Sequence, residues 1–139
     1  MNKRQLGKTD INLTAIGFGG APLGNLFENL DERNCYDILE KSYEKGINIY
    51  DTSPLYGYGL SEHRLGNFLK TVDEDSYFLS TKVGRYLTPA KKDNIDRGRF
   101  AGSLNFSPNL DYSYDGVMRA FEQSLLRLSL IHISEPTRL

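Results

Sequence analysis

Apolar positions along the chain switch between a period of two and a period of three to four. The opening segment RQLGKTDINL reads as two short extended pieces around a turn at Gly7 to Asp10, and TAIGFGG as a short strand ending in glycines. A helical stretch follows. Asp31 stands where an N-cap belongs, Cys35, Ile38, Leu39, Ser42 and Tyr43 share one face at helical spacing, and Gly46 is placed to stop it. INIYDTS predicts a second strand. Ser61 is placed to cap a second helix that buries Leu65, Phe68 and Leu69. SYFLSTKVG predicts a third strand, and from about Ser113 a third helix carries Val117, Phe121, Leu125 and Leu128 in register.

Strand alternating with helix argues for a parallel sheet with right-handed crossovers, either a doubly wound sheet or a (β/α)₈ barrel. No internal sequence repeat accompanies the alternation, and no linker interrupts it. The stretch from Gly84 to Tyr112 breaks the rhythm. It is rich in Lys, Asp, Asn, Gly and Pro and predicts a long irregular loop. Such loops are uncommon in compact domains and are usually functional or disordered. This one leaves the C-terminal end of a strand, where barrel enzymes build their sites, so it is expected to be a substrate loop.

Composition narrows the picture. The 139 residues suffice for one domain with a core; 39% are hydrophobic, 25% are charged, and the net charge is −1. That balance gives no pull toward nucleic acid or anionic membranes. A single cysteine, Cys35, excludes an internal disulfide and suits a reducing compartment; its place on an apolar helix face makes it core. No run approaches the roughly 18 apolar residues of a membrane span. A soluble, cytoplasmic protein without a metal site is expected.

Candidate chemistry gathers at the ends of the three strands. Small residues in GFGGAPLG, Gly17 to Gly24, would let backbone amides approach a ligand closely, although a tight turn explains them equally well. In YDTSPLYGYGLSE, Asp51 ends the second strand and Tyr56 lies on the loop beyond it; Lys82 follows at the end of the third. Neighbouring parallel strands lie about 4.8 Å apart. If the second and third are adjacent, Lys82 can pair with Asp51 and reach the Tyr56 hydroxyl. An ammonium about 4 Å from a phenol, at an effective dielectric of ~20, favours the phenolate by roughly 4 kcal/mol. That brings a phenol into the range of acid–base catalysis near neutral pH. His63, in the first turn of the second helix, is expected at the surface.

The segment YDTSPLYGYGLSEHRLGNFL resembles the signature of the aldo-keto reductases, and STKVG resembles the segment that carries their catalytic lysine. The likeness runs from about Lys3 to Leu128. It implies a (β/α)₈ barrel with an N-terminal β-hairpin closing its bottom, of which this chain would hold the first three β/α units. It further implies NAD or NADP as cofactor, Tyr56 as general acid/base, Lys82 and Asp51 as its partners, and Gly19, Gly20, Ala21 and Asp51 beside the cofactor. Within the family, GFGGAPLGN and LSTKVGRYL are most similar to the dehydrogenases of D-threo-aldoses (L-fucose), L-galactose and pyridoxal. Those enzymes oxidise a cyclic hemiacetal to a lactone, so a small sugar or aldehyde is the expected partner. A reductase of aldehydes or ketones, or a non-enzymatic barrel, are the alternatives; the joint presence of Tyr56, Lys82 and Asp51 weighs against the second.

The family's strand-four histidine raises the status of His132. Here Leu128 runs directly into SLIH, so His132 arrives several residues early. One reading frame of a widely used transposase sequencing adapter encodes LSLIHISEPTR, which matches every residue from Leu128 to Arg138. Residues 1–128 are therefore expected to be the N-terminal part of the barrel, and residues 129–139 a non-native tail. The natural product would then be longer, since such barrels take about 250 residues.

Overall fold

A computed structural model of the chain describes residues 1–130. His132 and the rest of residues 131–139 lie outside the described residues. Strands β1 (Lys3–Gln5) and β2 (Asn12–Thr14) form an antiparallel hairpin. Asn48 fastens it to the body: its Oδ1 accepts from the Thr14 amide at 2.8 Å, and its Nδ2 donates to the Asn12 carbonyl at 2.9 Å. Asn48 immediately precedes Ile49, where the middle strand of the main sheet begins, so the hairpin covers the N-terminal end of that sheet.

That sheet has three parallel strands in the order β3 (Phe18–Gly19), β4 (Ile49–Asp51), β5 (Phe78–Ser80). The register aligns Gly19 with Asp51 and Asp51 with Ser80. The C-terminal ends of all three strands therefore lie side by side, and the candidate residues with them.

Helix α1 (Glu32–Glu44) starts and stops as its sequence dictates. Asp31 accepts from the Asn34 amide at 2.8 Å, satisfying an otherwise unpaired N-terminal donor. At the other end Gly46 is left-handed, with φ 81°. Its amide donates to the Tyr43 carbonyl, and the Ile47 amide to that of Ser42, which together close a Schellman motif. Cys35, Leu39 and Ser42 are buried and Tyr43 is partly buried against the core, but Ile38 is 44% exposed. Helical spacing alone placed Ile38 inside; it falls at the margin of the buried stripe.

Helix α2 (Leu60–Leu69) is capped by Gly59, not by Ser61. Ser61 is fully buried one residue inside the helix, where its hydroxyl donates to the Gly20 carbonyl at 2.7 Å and lies 2.8 Å from Thr52 Oγ1. The hydroxyl thus ties α2 to the ends of β3 and β4 instead of satisfying α2's own amides. Leu65, Phe68 and Leu69 are buried as expected.

Helix α3 (Tyr114–Leu128) buries Gly116, Ala120, Ser124 and Leu128, while Val117, Phe121 and Leu125 are only partly covered. The sequence register followed the bulky residues. The helix instead buries three small residues, and of the four apolar positions expected inside only Leu128 is buried. A Cβ at Gly66 of α2 would stand 2.7 Å from the Leu128 Cα, so the two helices touch backbone to backbone there. After α3, Ser129 takes a left-handed conformation and Leu130 packs against the core.

The stretch after β5 is the largest departure from expectation. It is not an irregular loop: β6 (Arg85–Pro89) and β7 (Phe106–Leu110) pair antiparallel over five residues each, making a two-stranded ribbon. Gln123 of α3 holds the ribbon's base. Its Oε1 accepts from the Leu87 amide at 2.8 Å and its Nε2 donates to the Leu87 carbonyl at 2.9 Å, as a neighbouring strand would. The segment's polar composition hid this pairing, because a ribbon that stands on a helix face needs only Leu87 fully buried.

Candidate active site

Lys82 is the hub at the C-terminal end of the sheet. It lies two residues beyond β5, and its Nζ donates to Asp51 Oδ2 at 2.7 Å and to the Thr52 carbonyl at 2.8 Å. Asp51, the last residue of β4, also accepts from Ser80 Oγ at 3.0 Å. The same ammonium stands 5.0 Å from the centroid of the Tyr56 ring. The three residues singled out in the sequence are thus brought together by the adjacency of β4 and β5. Burial pushes the Lys82 pKa down, but the hydrogen bond and charge of Asp51 outweigh it, with Tyr56 adding smaller contributions, so the net direction is up. Lysine and aspartate side chains are 46% and 44% exposed, which leaves this end of the sheet open to a ligand. Solvent screening limits what such a pair adds to stability to about 0–1 kcal/mol.

The backbone of the Tyr56 loop is held in an unusual shape. Gly57, Tyr58 and Gly59 are left-handed in succession, with φ 65°, 54° and 95°. For tyrosine such a conformation costs on the order of 1–3 kcal/mol and persists only where surroundings enforce it. Tyr58 is buried, and its hydroxyl donates to the Asp96 carbonyl. From the other side the glycine-rich loop after β3 presses in. A Cβ at Gly24 would lie 2.4 Å from the Tyr56 carbonyl carbon, and one at Gly57 2.5 Å from the Gly24 oxygen. Only glycine fits at either position.

The glycines named as cofactor contacts divide. Gly20 is buried and donates its amide to the Asp51 carbonyl at 2.7 Å. Its missing side chain is accounted for within the protein, since a Cβ would meet that carbonyl and Ser61 Oγ, both at 2.8 Å. Gly19 is exposed, and a Cβ there would meet nothing within 4 Å. Ala21 is half-buried in the turn that follows. His63 is exposed on α2, away from this cluster.

Sequence reasoning missed two groups that support the site. Glu62 has a fully buried side chain; its Oε1 accepts from Thr81 Oγ1 at 2.7 Å, and its Oε2 pairs with Arg127 Nε at 2.5 Å. It therefore fixes the residue before Lys82 and ties it to α3. The signal was available: Glu62 precedes Leu65 and Leu69 on the apolar face, where a carboxylate is tolerated only with partners. Arg64 is the second. Its NH1 donates to the Leu23 carbonyl at 2.8 Å and to Asn25 Oδ1 at 2.7 Å, and its NH2 to the Leu30 carbonyl at 2.8 Å, which secures the loop after β3.

The tip of the ribbon completes the arrangement. The Phe27 amide donates to the Arg99 carbonyl at 2.7 Å, the Ala101 amide to that of Asn25 at 3.0 Å, and the Leu104 amide to that of Gly57 at 3.0 Å. Phe100 is thereby set with its ring centroid 6.1 Å from that of Tyr56 and 6.3 Å from that of Tyr58.

Residues 15–133 match the family model described as the aldo/keto reductase family. The chain belongs to this family. Among characterised aldo/keto reductases, it is 43% identical over 141 residues to a pyridoxal 4-dehydrogenase from Microbacterium luteolum, with 94% of this chain and 41% of that protein covered. It is 35% identical over 135 residues to a D-threo-aldose 1-dehydrogenase from a Pseudomonas species, covering 91% of this chain and 41% of that one. An aldo-keto reductase from Bacillus halodurans, solved in its holo form, superposes with a TM-score of 0.69 at 32% identity, covering 93% of this chain and 37% of its own. The chain spans about two fifths of the length of the relatives it matches. Among the described residues no helix is long and apolar enough to cross a membrane.

Proposed function

We propose that residues 1–128 are the first three β/α units of an eight-unit barrel, and that the full-length protein oxidises a cyclic hemiacetal, of a sugar or of pyridoxal, to a lactone. The observation that carries this reading is the placement of Lys82, bonded to Asp51 at 2.7 Å and lying 5.0 Å from the Tyr56 ring. The open space beside Gly19, next to the half-exposed Asp51, suits a nicotinamide cofactor, with Gly19, Gly20, Ala21 and Asp51 as the residues that would hold it. When bound, NAD or NADP supplies the hydride acceptor.

This chain's residues handle the proton. Tyr56 Oη removes the proton of the anomeric hydroxyl in the oxidation and returns it to the carbonyl oxygen in the reverse reaction. The Lys82 ammonium stabilises negative charge on Tyr56 Oη. Asp51 keeps Lys82 charged and in place, and the Thr52 carbonyl fixes its direction. Relatives named for pyridoxal and D-threo-aldose support the substrate class.

The test uses the full-length protein, read from the source DNA past codon 128, where a native continuation of about 150 or more codons is expected in place of the tail. Hydride transfer is measured with NAD and NADP on L-fucose, L-galactose and pyridoxal. Tyr56→Phe removes one oxygen; cofactor titration should be unchanged while turnover falls at least the ~10²–10⁴-fold attributed to acid–base catalysis. Near-native turnover of Tyr56→Phe on the preferred substrate would refute the mechanism.

A further inference from the structure

The ribbon is rooted in a way that a simple surface excursion would not need. At its base Leu87 is 3% exposed, both of its backbone groups are taken by Gln123, and the Arg119 guanidinium stacks 4.7 Å from the Tyr86 ring centroid. Its far end is held by three main-chain hydrogen bonds to two different loops, the one after β3 at Asn25 and Phe27 and the one after β4 at Gly57. The tip is strongly polar, with Lys91, Lys92, Asp93, Asn94, Asp96, Arg97 and Arg99 in nine residues' span of KKDNIDRGR. Yet the aromatic residue that follows, Phe100, is turned inward and paired across a β-bridge with Leu26. Its ring lies at 39° to that of Tyr56.

We infer that Phe100 is a specificity-determining residue, an apolar wall beside the Tyr56 ring against which the flat face of a ring-shaped substrate rests. The chemistry follows from the geometry. A partly buried aromatic face offers dispersion and C–H contacts to the apolar face of a pyranose or to a pyridine ring. It gives an open-chain carbonyl compound of similar polarity far less contact. Because the tip is docked through its main chain, the wall is preformed and its contact does not depend on closing a loop, which reduces the ordering cost of binding. Contact of this kind is made equally in the ground and transition states, so it acts on KM more than on kcat. This inference rests on the assignment of Tyr56 as the acid/base.

The experiment compares wild type, Phe100→Ala, Phe100→Leu and Phe100→Tyr in the full-length protein. The substrates are L-fucose and pyridoxal as rings, and glyceraldehyde reduction as the open-chain reaction at the same hydroxyl. Phe100→Ala is expected to lower the ratio of ring to open-chain kcat/KM by about tenfold, the loss falling on KM, as befits one lost aromatic contact. Phe100→Leu, which keeps apolar bulk and guards against loss of the tip's fold, should fall in between, and Phe100→Tyr should restore the ratio. An unchanged ratio in both Phe100→Ala and Phe100→Leu, with Tyr56→Phe inactive, overturns the wall and leaves the acid/base standing. Turnover that survives Tyr56→Phe, or a wild type without any turnover, overturns the acid/base assignment and the wall with it.

Discussion

Removing one partner of the Glu62–Arg127 pair should damage the protein more than any other exchange of a single charge. Glu62 is fully buried, the Arg127 side chain is 10% exposed, and their atoms are 2.5 Å apart. At an effective dielectric of ~20 such a contact is worth roughly 6–7 kcal/mol of attraction, most of it offset by the cost of drying both charges. What a truncation exposes is the stranded partner, at about 3–5 kcal/mol. The two single variants should differ. In Glu62→Gln the amide oxygen can still accept from Thr81, and Arg127 keeps Ser124 Oγ at 3.3 Å and a little solvent. In Arg127→Met the carboxylate is left with Thr81 alone, so this variant should sit at the upper end of the range. Combining the two strands neither charge, and the double variant should cost less than the sum by 2 kcal/mol or more. Urea unfolding of the full-length protein, followed by circular dichroism and by tyrosine fluorescence, measures all three. Additivity within about 0.5 kcal/mol would refute the coupling.

Two further outcomes bear on the site. Asp51→Asn removes the partner that raises the Lys82 pKa and leaves burial, which lowers it. Lys82 should then lose its proton at lower pH, and the alkaline loss of activity should move down in a pH–rate profile. The matching stability contribution is present below the ordinary lysine range and disappears as pH rises through the raised value, and at half exposure it stays below about 1 kcal/mol. Gly24→Ala forces a Cβ to within 2.4 Å of the Tyr56 carbonyl carbon. The loop must shift, so turnover should fall by 10-fold or more, on the order seen for small misplacements of reacting groups; unchanged kinetics would show that the contact relaxes freely.

The alternation of elements and the proximity of Asp51, Tyr56 and Lys82 were legible because they obey local rules. Asp31 and Gly46 bound α1 by capping chemistry that any sequence reader can apply. Asp51 and Lys82 end neighbouring parallel strands, so one assumption about strand order brought them together. What escaped was set by contacts between distant segments. Ser61 looks like a cap until Gly20 and Thr52 approach it, and Ile38 looks buried until the width of the α1 interface is known. The α3 register was legible only at Leu128: hydrophobicity marks Val117, Phe121 and Leu125, whereas the buried face runs through Gly116, Ala120, Ser124 and Leu128, with Leu128 against Gly66. The ribbon was hidden for a related reason: its strands pair mainly with each other and with one glutamine, and neither requirement leaves an apolar alternation in KVGRYLTPAKK.

The docking of the ribbon tip has an evolutionary corollary. Its bonds to the loops at Asn25, Phe27 and Gly57 all run between amides and carbonyls, which every residue but proline supplies alike. Substitution at exposed positions of the tip, such as Lys91, Lys92 and Asp93, can therefore change the side chains offered to a ligand without loosening the attachment. The segment can be exchanged as a unit, and under the proposed mechanism transplanting it between homologous barrels is a direct way to move substrate preference while leaving Asp51, Tyr56 and Lys82 untouched.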